Sequence, residues 1–201
     1  MKNLFRAAFL FLCAVLAGCA SLPQSIQTVD SIAHQQQLEQ LSHWKIKGRL
    51  AFKSPEEKFS AYLHWQQRDQ TFDLQLNNFI GTTLVSMQGY PGFASLEADD
   101  KTFSDRNASE LIKRVTGWNI PVESLALWVK GQHTQDDSVV YDEFGRVKSL
   151  TARCNGCAGW LLNFSNYRTV DDIPMPHQIE LINQQDQSNQ VKIKVTSWQK
   201  I

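Results

Sequence analysis

The chain has 201 residues, 42% of them apolar, and its twenty Lys and Arg balance its twenty Asp and Glu. With that balance no charge excess suggests nucleic acid as a partner, and no polybasic segment suggests electrostatic attachment to anionic lipid. Lys2 and Arg6 are followed by ten apolar or small residues, Ala7 to Leu16. A membrane-spanning helix needs roughly 20 apolar residues, so residues 1–18 read as a cleaved export signal.

Leu16-Ala17-Gly18-Cys19 resembles the lipobox of bacterial lipoproteins, where a small residue before the cysteine admits a peptidase and the thiol takes a diacylglyceryl group. The resemblance implies lipid attachment at Cys19. Ala20, standing where Asp would retain the protein, implies sorting to the outer membrane, on its periplasmic side. Lys2 and Arg6 leave with the signal, so eighteen basic residues face twenty acidic ones, a charge near −2.

Residues 19–42 are polar and Gln-rich, and predict a lipid-anchored tether running into a short helix capped by Asp30 or Ser31. Leu38, Leu41 and Trp44 recur at three-residue spacing as its narrow apolar stripe. Beyond His43 the period becomes two, and residues 43–201 read as one domain. Ile46, Leu50 and Phe52 share a parity around Gly48. Phe59, Ala61, Leu63 and Trp65 alternate with polar residues, as do Phe72, Leu74 and Leu76. Strands are expected again at Thr82–Gln88, Phe93–Ala98 and Lys101–Ser104, with Gly89-Tyr90-Pro91-Gly92 as a turn.

Two helices then interrupt the strands. Asn107-Ala108-Ser109-Glu110 matches a capping box, Leu111, Ile112 and Val115 form the apolar face, and Gly117 ends the helix. The second begins around Pro121, buries Leu125, Trp128 and Val129, and stops at Gly131. Strands return at Ser138–Tyr141, Arg146–Arg153, Gly159–Tyr167, His177–Asn183 and Val191–Trp198. About eleven strands with no helices between most of them imply an antiparallel, strongly curved, mainly β fold with helices on one face.

Cys154 and Cys157 are the cysteines left after Cys13 is cleaved off and Cys19 is acylated. Asn-Gly between them sits between two strand-like runs, a hairpin setting. In an oxidising compartment a local disulfide is the default reading, with a redox pair or a metal site as alternatives. Catalytic constellations are not evident. His34, His43, His64, His133 and His177 are scattered, and Asp99-Asp100, Asp136-Asp137 and Asp171-Asp172 read as solvated turn residues. No cofactor or metal is expected.

A sheet of this size either fills its inner side or holds a ligand there. Phe52, Phe59, Trp65, Phe72, Trp128 and Trp160 suit either cavity walls or an ordinary core. A resemblance favours the cavity. Trp44 to Ala51, Phe59 to Gln67, Asn77 to Thr83, Leu111 to Gly117, and Ile120-Pro121 through Trp128-Val129-Lys130-Gly131 together resemble the LolB family of outer-membrane lipoprotein receptors, and the match covers nearly the whole mature chain. It implies an incomplete antiparallel β-barrel of about eleven strands with a helical lid over an apolar cavity, similar to LolA. It also implies that acylated lipoprotein cargo passes from a LolA-like periplasmic carrier into the cavity and on to outer-membrane phospholipid, with the receptor a monomer.

By strand and helix parity the acyl-chain cavity would draw on Leu50, Phe52, Leu63, Trp65, Leu74, Leu76, Leu84, Ile112, Val115, Leu125 and Trp128. In the family the loop at Phe79, Ile80 and Gly81 protrudes and enters the membrane. Ile80 takes the place of the usual Leu, and Phe79 that of Pro, which predicts a less rigid loop. The alternative places Phe79 and Ile80 in the hairpin core. A structural lipoprotein that binds envelope proteins without lipid is the other functional class.

Overall fold

The computed structural model describes residues 28–154, 156, 157, 159–185 and 189–201; the predicted signal, Cys19 and most of the tether lie outside the described residues. Asp30 caps the first helix, α1 (Ser31–Gln40), its carboxylate accepting from Ala33 N at 2.8 Å. The helix ends before Leu41, and Trp44 belongs to the first strand, so the expected three-residue stripe is split between two elements. All three side chains are nonetheless buried.

The strands then follow in an uninterrupted meander: β1 (His43–Lys53), β2 (Lys58–Arg68), β3 (Thr71–Asn77), β4 (Thr83–Tyr90), β5 (Phe93–Ala98) and β6 (Lys101–Asp105). Helices α2 (Ala108–Thr116) and α3 (Val122–Trp128) come next. After them run β7 (Ser138–Tyr141), β8 (Val147–Thr151), β9 (Trp160–Ser165), β10 (Arg168–Val170), β11 (Ile173–Met175), β12 (Gln178–Asn183) and β13 (Gln190–Lys200). Eleven of these form one antiparallel sheet in the order β6-β5-β4-β3-β2-β1-β13-β12-β9-β8-β7. β10 and β11 pair only with each other, as a separate hairpin. At three residues each they are too short to show a period, and the sequence reading missed them.

The sheet is open, since β6 and β7 end it on opposite sides and do not pair. The connection between those edges is the segment carrying α2 and α3, and α2 packs on β5 and β6. Period-two alternation turns one apolar row of every strand inward, and these rows merge with the helices into a single core. The first and last strands meet at the centre. Gly48 permits a close approach, because a Cβ there would collide with the Lys194 carbonyl oxygen. The ladder slips at the same place, between Lys47 and Gly48.

Candidate functional site: an apolar cavity and a projecting loop

A cavity of about 440 Å³ lies between the inner face of β2 and β3, the β4–β5 turn and the two helices that follow β6. Trp65, Phe72, Leu74 and Phe93 wall it from the sheet, and Leu125 and Ala126 from α3. Gly89 leaves the space that the Phe72 ring occupies. Polar groups on the wall are satisfied from within the protein: Trp65 Nε1 donates to Gln67 Oε1 at 3.2 Å, and Gln67 Nε2 donates to the Asp69 carbonyl at 2.8 Å. Asp69, Gln70 and Arg106 also reach the wall, so the lining is mixed, with apolar side chains predominating.

The helical cover is tied together at one carboxylate. Asn107 caps α2 as expected, accepting from Glu110 N at 2.9 Å. Glu123 of α3 then reaches the same helix end, its Oε1 accepting from Ala108 N at 2.7 Å and Ser109 N at 3.1 Å. Its other oxygen accepts from the Ser109 hydroxyl, which in turn accepts from Val122 N at 2.7 Å. A carboxylate at a helix N-terminus is favoured both by the free N–H groups and by the helix dipole. The two helices therefore form one unit, a link the sequence did not signal because its partners are fourteen residues apart.

Of the residues expected around the cavity, Trp65, Leu74 and Leu125 line it. Leu63, Leu76 and Trp128 are buried in packed core. Leu50, Ile112 and Val115 are half-buried against that core and do not face the cavity. Phe52 is covered by Trp118, from the α2–α3 connection, whose ring stacks on it at 4.0 Å and lies 5.8 Å from Phe59. The expected cavity is thus plugged at that end. Leu84 is a correction of a different kind: it is 36% exposed and lies on the outer face. Asn77 pairs with Thr83 and Leu76 with Val85, so Leu84 is the extra residue of a bulge.

The loop beside that bulge projects. Phe79 is 86% exposed and Ile80 72%, which rules out the hairpin-core alternative. Asn78 holds the loop in shape, its Oδ1 accepting from Ile80 N at 3.1 Å and Thr82 N at 2.9 Å, while Asn78 N donates to the Thr82 carbonyl. Gly81 takes φ +92°, a left-handed conformation that suits glycine. The loop expected to be loose for want of Pro is thus cross-braced by an Asn side chain.

Cys154 and Cys157 are joined by a disulfide in the β8–β9 connection, and Ser124 of α3 lies 3.6 Å from the Cys154 sulfur. The acidic pairs occupy turns. Asp99-Asp100 and Asp171-Asp172 have positive φ at the tips of the β5–β6 and β10–β11 hairpins, and Asp137 accepts from Thr134 N and Arg153 N. Among the described residues no three His, Cys, Asp or Glu come together as metal ligands. No described helix is long and apolar enough to cross a membrane.

A second polar site ties down α1. Lys130, just after α3, is buried and donates from Nζ to the carbonyls of Leu38 at 2.6 Å and Leu41 at 3.0 Å. Burial lowers its pKa to about 8, opposed by Glu39. His34, also buried, hydrogen-bonds through Nε2 to the Pro174 carbonyl at 2.9 Å, and burial holds its pKa below the ordinary value. Gln35 donates to the Gly131 carbonyl at 3.0 Å.

A family model described as outer membrane lipoprotein LolB matches residues 42–198. The outer-membrane lipoprotein LolB of Shewanella loihica is 35% identical over 186 residues, covering 92% of this chain and 82% of its own length. That of Psychromonas ingrahamii is 33% identical over 195 residues, covering 94% and 93%. Among solved structures, a LolA superfamily protein from Nitrosomonas europaea aligns over 85% of this chain and 93% of its own, with TM-score 0.56 and 8% identity. A putative outer membrane lipoprotein-sorting protein domain from Vibrio parahaemolyticus aligns over 84% and 91%, with TM-score 0.55 and 11% identity. The last two likenesses concern the fold.

Proposed function

Because this chain belongs to the family of the outer-membrane lipoprotein LolB, we propose that it takes acylated lipoproteins from a LolA-like carrier into the cavity behind α2 and α3 and releases them into the inner leaflet of the outer membrane. It is an outer-membrane lipoprotein of lipoprotein localisation, anchored in this reading through Cys19. The observation that carries the route is a pair: an apolar cavity under a two-helix cover, and an exposed Phe-Ile tip on the same sheet.

Each methylene withdrawn from water contributes roughly 0.8 kcal/mol, so a long acyl chain does not leave for solvent at a useful rate. It moves between apolar cavities that face each other. A receiver that binds about 1.4 kcal/mol more tightly than the donor holds a tenfold excess, which gives direction without a nucleotide or a catalytic step.

Release is assigned to the Asn78–Thr82 loop. An apolar tip enters the headgroup boundary, whereas a carboxylate there has to be desolvated or stay in water. The test has two stages: transfer from a LolA-bound lipoprotein to the soluble domain, then transfer from that complex to liposomes. Ile80→Glu with Phe79→Ser is expected to pass the first stage at the normal rate and fail the second by at least about tenfold, while Ile80→Leu passes both. Equal loss at both stages would make the loop part of the cavity, and unchanged delivery would sink the insertion role.

A further inference from the structure

The outer face of the sheet collects charge that no segment of the sequence displays. Lys47, Arg49 and Lys53 of β1, Lys58 of β2, and Lys192 and Lys194 of β13 are all exposed there. Among the described residues only Lys192 of these six has an acidic partner, Glu180, at 2.8 Å. Glu56 and Glu57 lie nearby in the β1–β2 turn. The register places like charges opposite one another: Arg49 pairs with Lys194, and Lys53 with Lys58. Directly opposed like charges destabilise a ladder, and two such pairs in one patch are a cost that an external anion offsets.

The patch is continuous with the projecting loop. One row across four strands runs Lys194, Arg49, Tyr62, Asn77, and the loop begins at the next residue. Arg49 donates to the Tyr62 hydroxyl at 2.7 Å and lies over its ring at 4.7 Å, which holds the guanidinium on that row. Lys192, Lys53 and Lys58 fall in the rows beyond, alongside the loop. A protein partner could match the charge, but an apolar tip exposed beside it fits a surface that offers anions and hydrocarbon together.

We propose that the outer face of β13, β1 and β2 is a landing surface for anionic phospholipid headgroups, which turns the receptor so that the Phe79-Ile80 tip meets the bilayer. This rests on the insertion role assigned above to that loop. Insertion of two side chains is a weak hold by itself, and basic residues near an anionic membrane add to it in proportion to their number.

The test uses the full mature chain with Cys19→Ala, so that no acyl anchor masks binding, and vesicles of phosphatidylethanolamine with or without phosphatidylglycerol. The unaltered face is expected to bind the phosphatidylglycerol vesicles at least about tenfold more tightly, and added salt abolishes the difference. Lys53→Glu with Lys194→Glu converts both repulsive pairs into attractive ones, so the thermal midpoint holds or rises while the preference disappears. Lys53→Gln with Lys194→Gln gives a partial loss. No preference in the parent, or a preference that survives both double variants, overturns the landing surface. So does loss of cargo acceptance from the LolA-like carrier with vesicle binding intact, which would assign the face to the donor protein. A parent that binds anionic vesicles yet accepts no cargo overturns the transport reading and leaves the landing surface standing.

Discussion

On one side of β1 the inner face of the sheet is filled, and on the other it is partly empty, although the same alternation builds both. Leu162 and Leu181, on β9 and β12, have no exposure at all, and Ile179, Val191 and Ile193 have almost none. Across β1, Phe72, Leu74 and Phe93 are half-buried around the cavity. What differs is the cover. α1 packs on β11 and is fastened by Lys130, His34 and Gln35, whereas α2 and α3 are fastened to each other at Glu123. Glu123 makes the helix pair one unit, and Lys130 and Gly131, directly after α3, tie its far end to α1. The filled side is the frame to which that pair is tied.

The largest effect is expected from truncating the two sides in parallel. Leu181→Ala should cost about 2–5 kcal/mol in urea unfolding, because close-packed neighbours cannot collapse into the hole. Leu74→Ala, beside space that already exists, should cost less than about 2 kcal/mol and show its effect instead in weaker binding of a fluorescent fatty acid. Similar costs at both positions would erase the distinction between frame and receptacle.

Next in size is a pH effect at the fastening of α1. Lys130 has a folded pKa of about 8 against an ordinary 10.5, so between those values the unfolded chain holds a proton that the folded chain has lost. Stability from this group therefore rises as pH climbs through that window, and the full penalty is present below about 8. Unfolding free energies of the protein and of Lys130→Met, followed by urea titration across the window, should diverge by an amount on the order of a few kcal/mol. Parallel curves would mean that Lys130 is not buried in solution. The smallest effect belongs to the helical cover: Glu123→Gln should lower stability by only about 1 kcal/mol, while amide exchange quickens in α2 and α3 and stays slow in β9 and β12. Faster exchange spread evenly over the sheet would show that the helices do not open separately.

Much of this frame was legible in the chain. The eleven strands of the sheet announced themselves by alternation, and Asp30, Asn107 and Gly117 sit at helix ends as their chemistry requires. The cavity was less so. Parity assigns a side chain to a face but not to a filled or empty part of it. That depends on what arrives from elsewhere: Trp118 over Phe52, or Glu123 at the start of α2. Leu84 was misplaced because the inner face of β4 belongs to Val85, Met87 and Gly89, alternating with Ser86 and Gln88, which turns Leu84 outward. The basic outer face was invisible because its six cations come from three strands that only the register brings side by side.

The meeting of β1 and β13 at the centre of the sheet also sets the order of events when the chain is made. Trp44 pairs with Gln67 within a hairpin, but its other neighbour is Lys200. Pairings so remote in sequence form slowly, because a long loop must close before any contact rewards it. Until the last residues have crossed the inner membrane, β1 and β12 are both bare edges with apolar faces, the kind of strand that pairs with the wrong chain. The two halves can collapse early, each on its own, but the molecule is joined only by its final strand. A chain cut short before Val191 would leave the secretion machinery as two unsewn sheets, with the seam that becomes the middle of the receptor exposed on each.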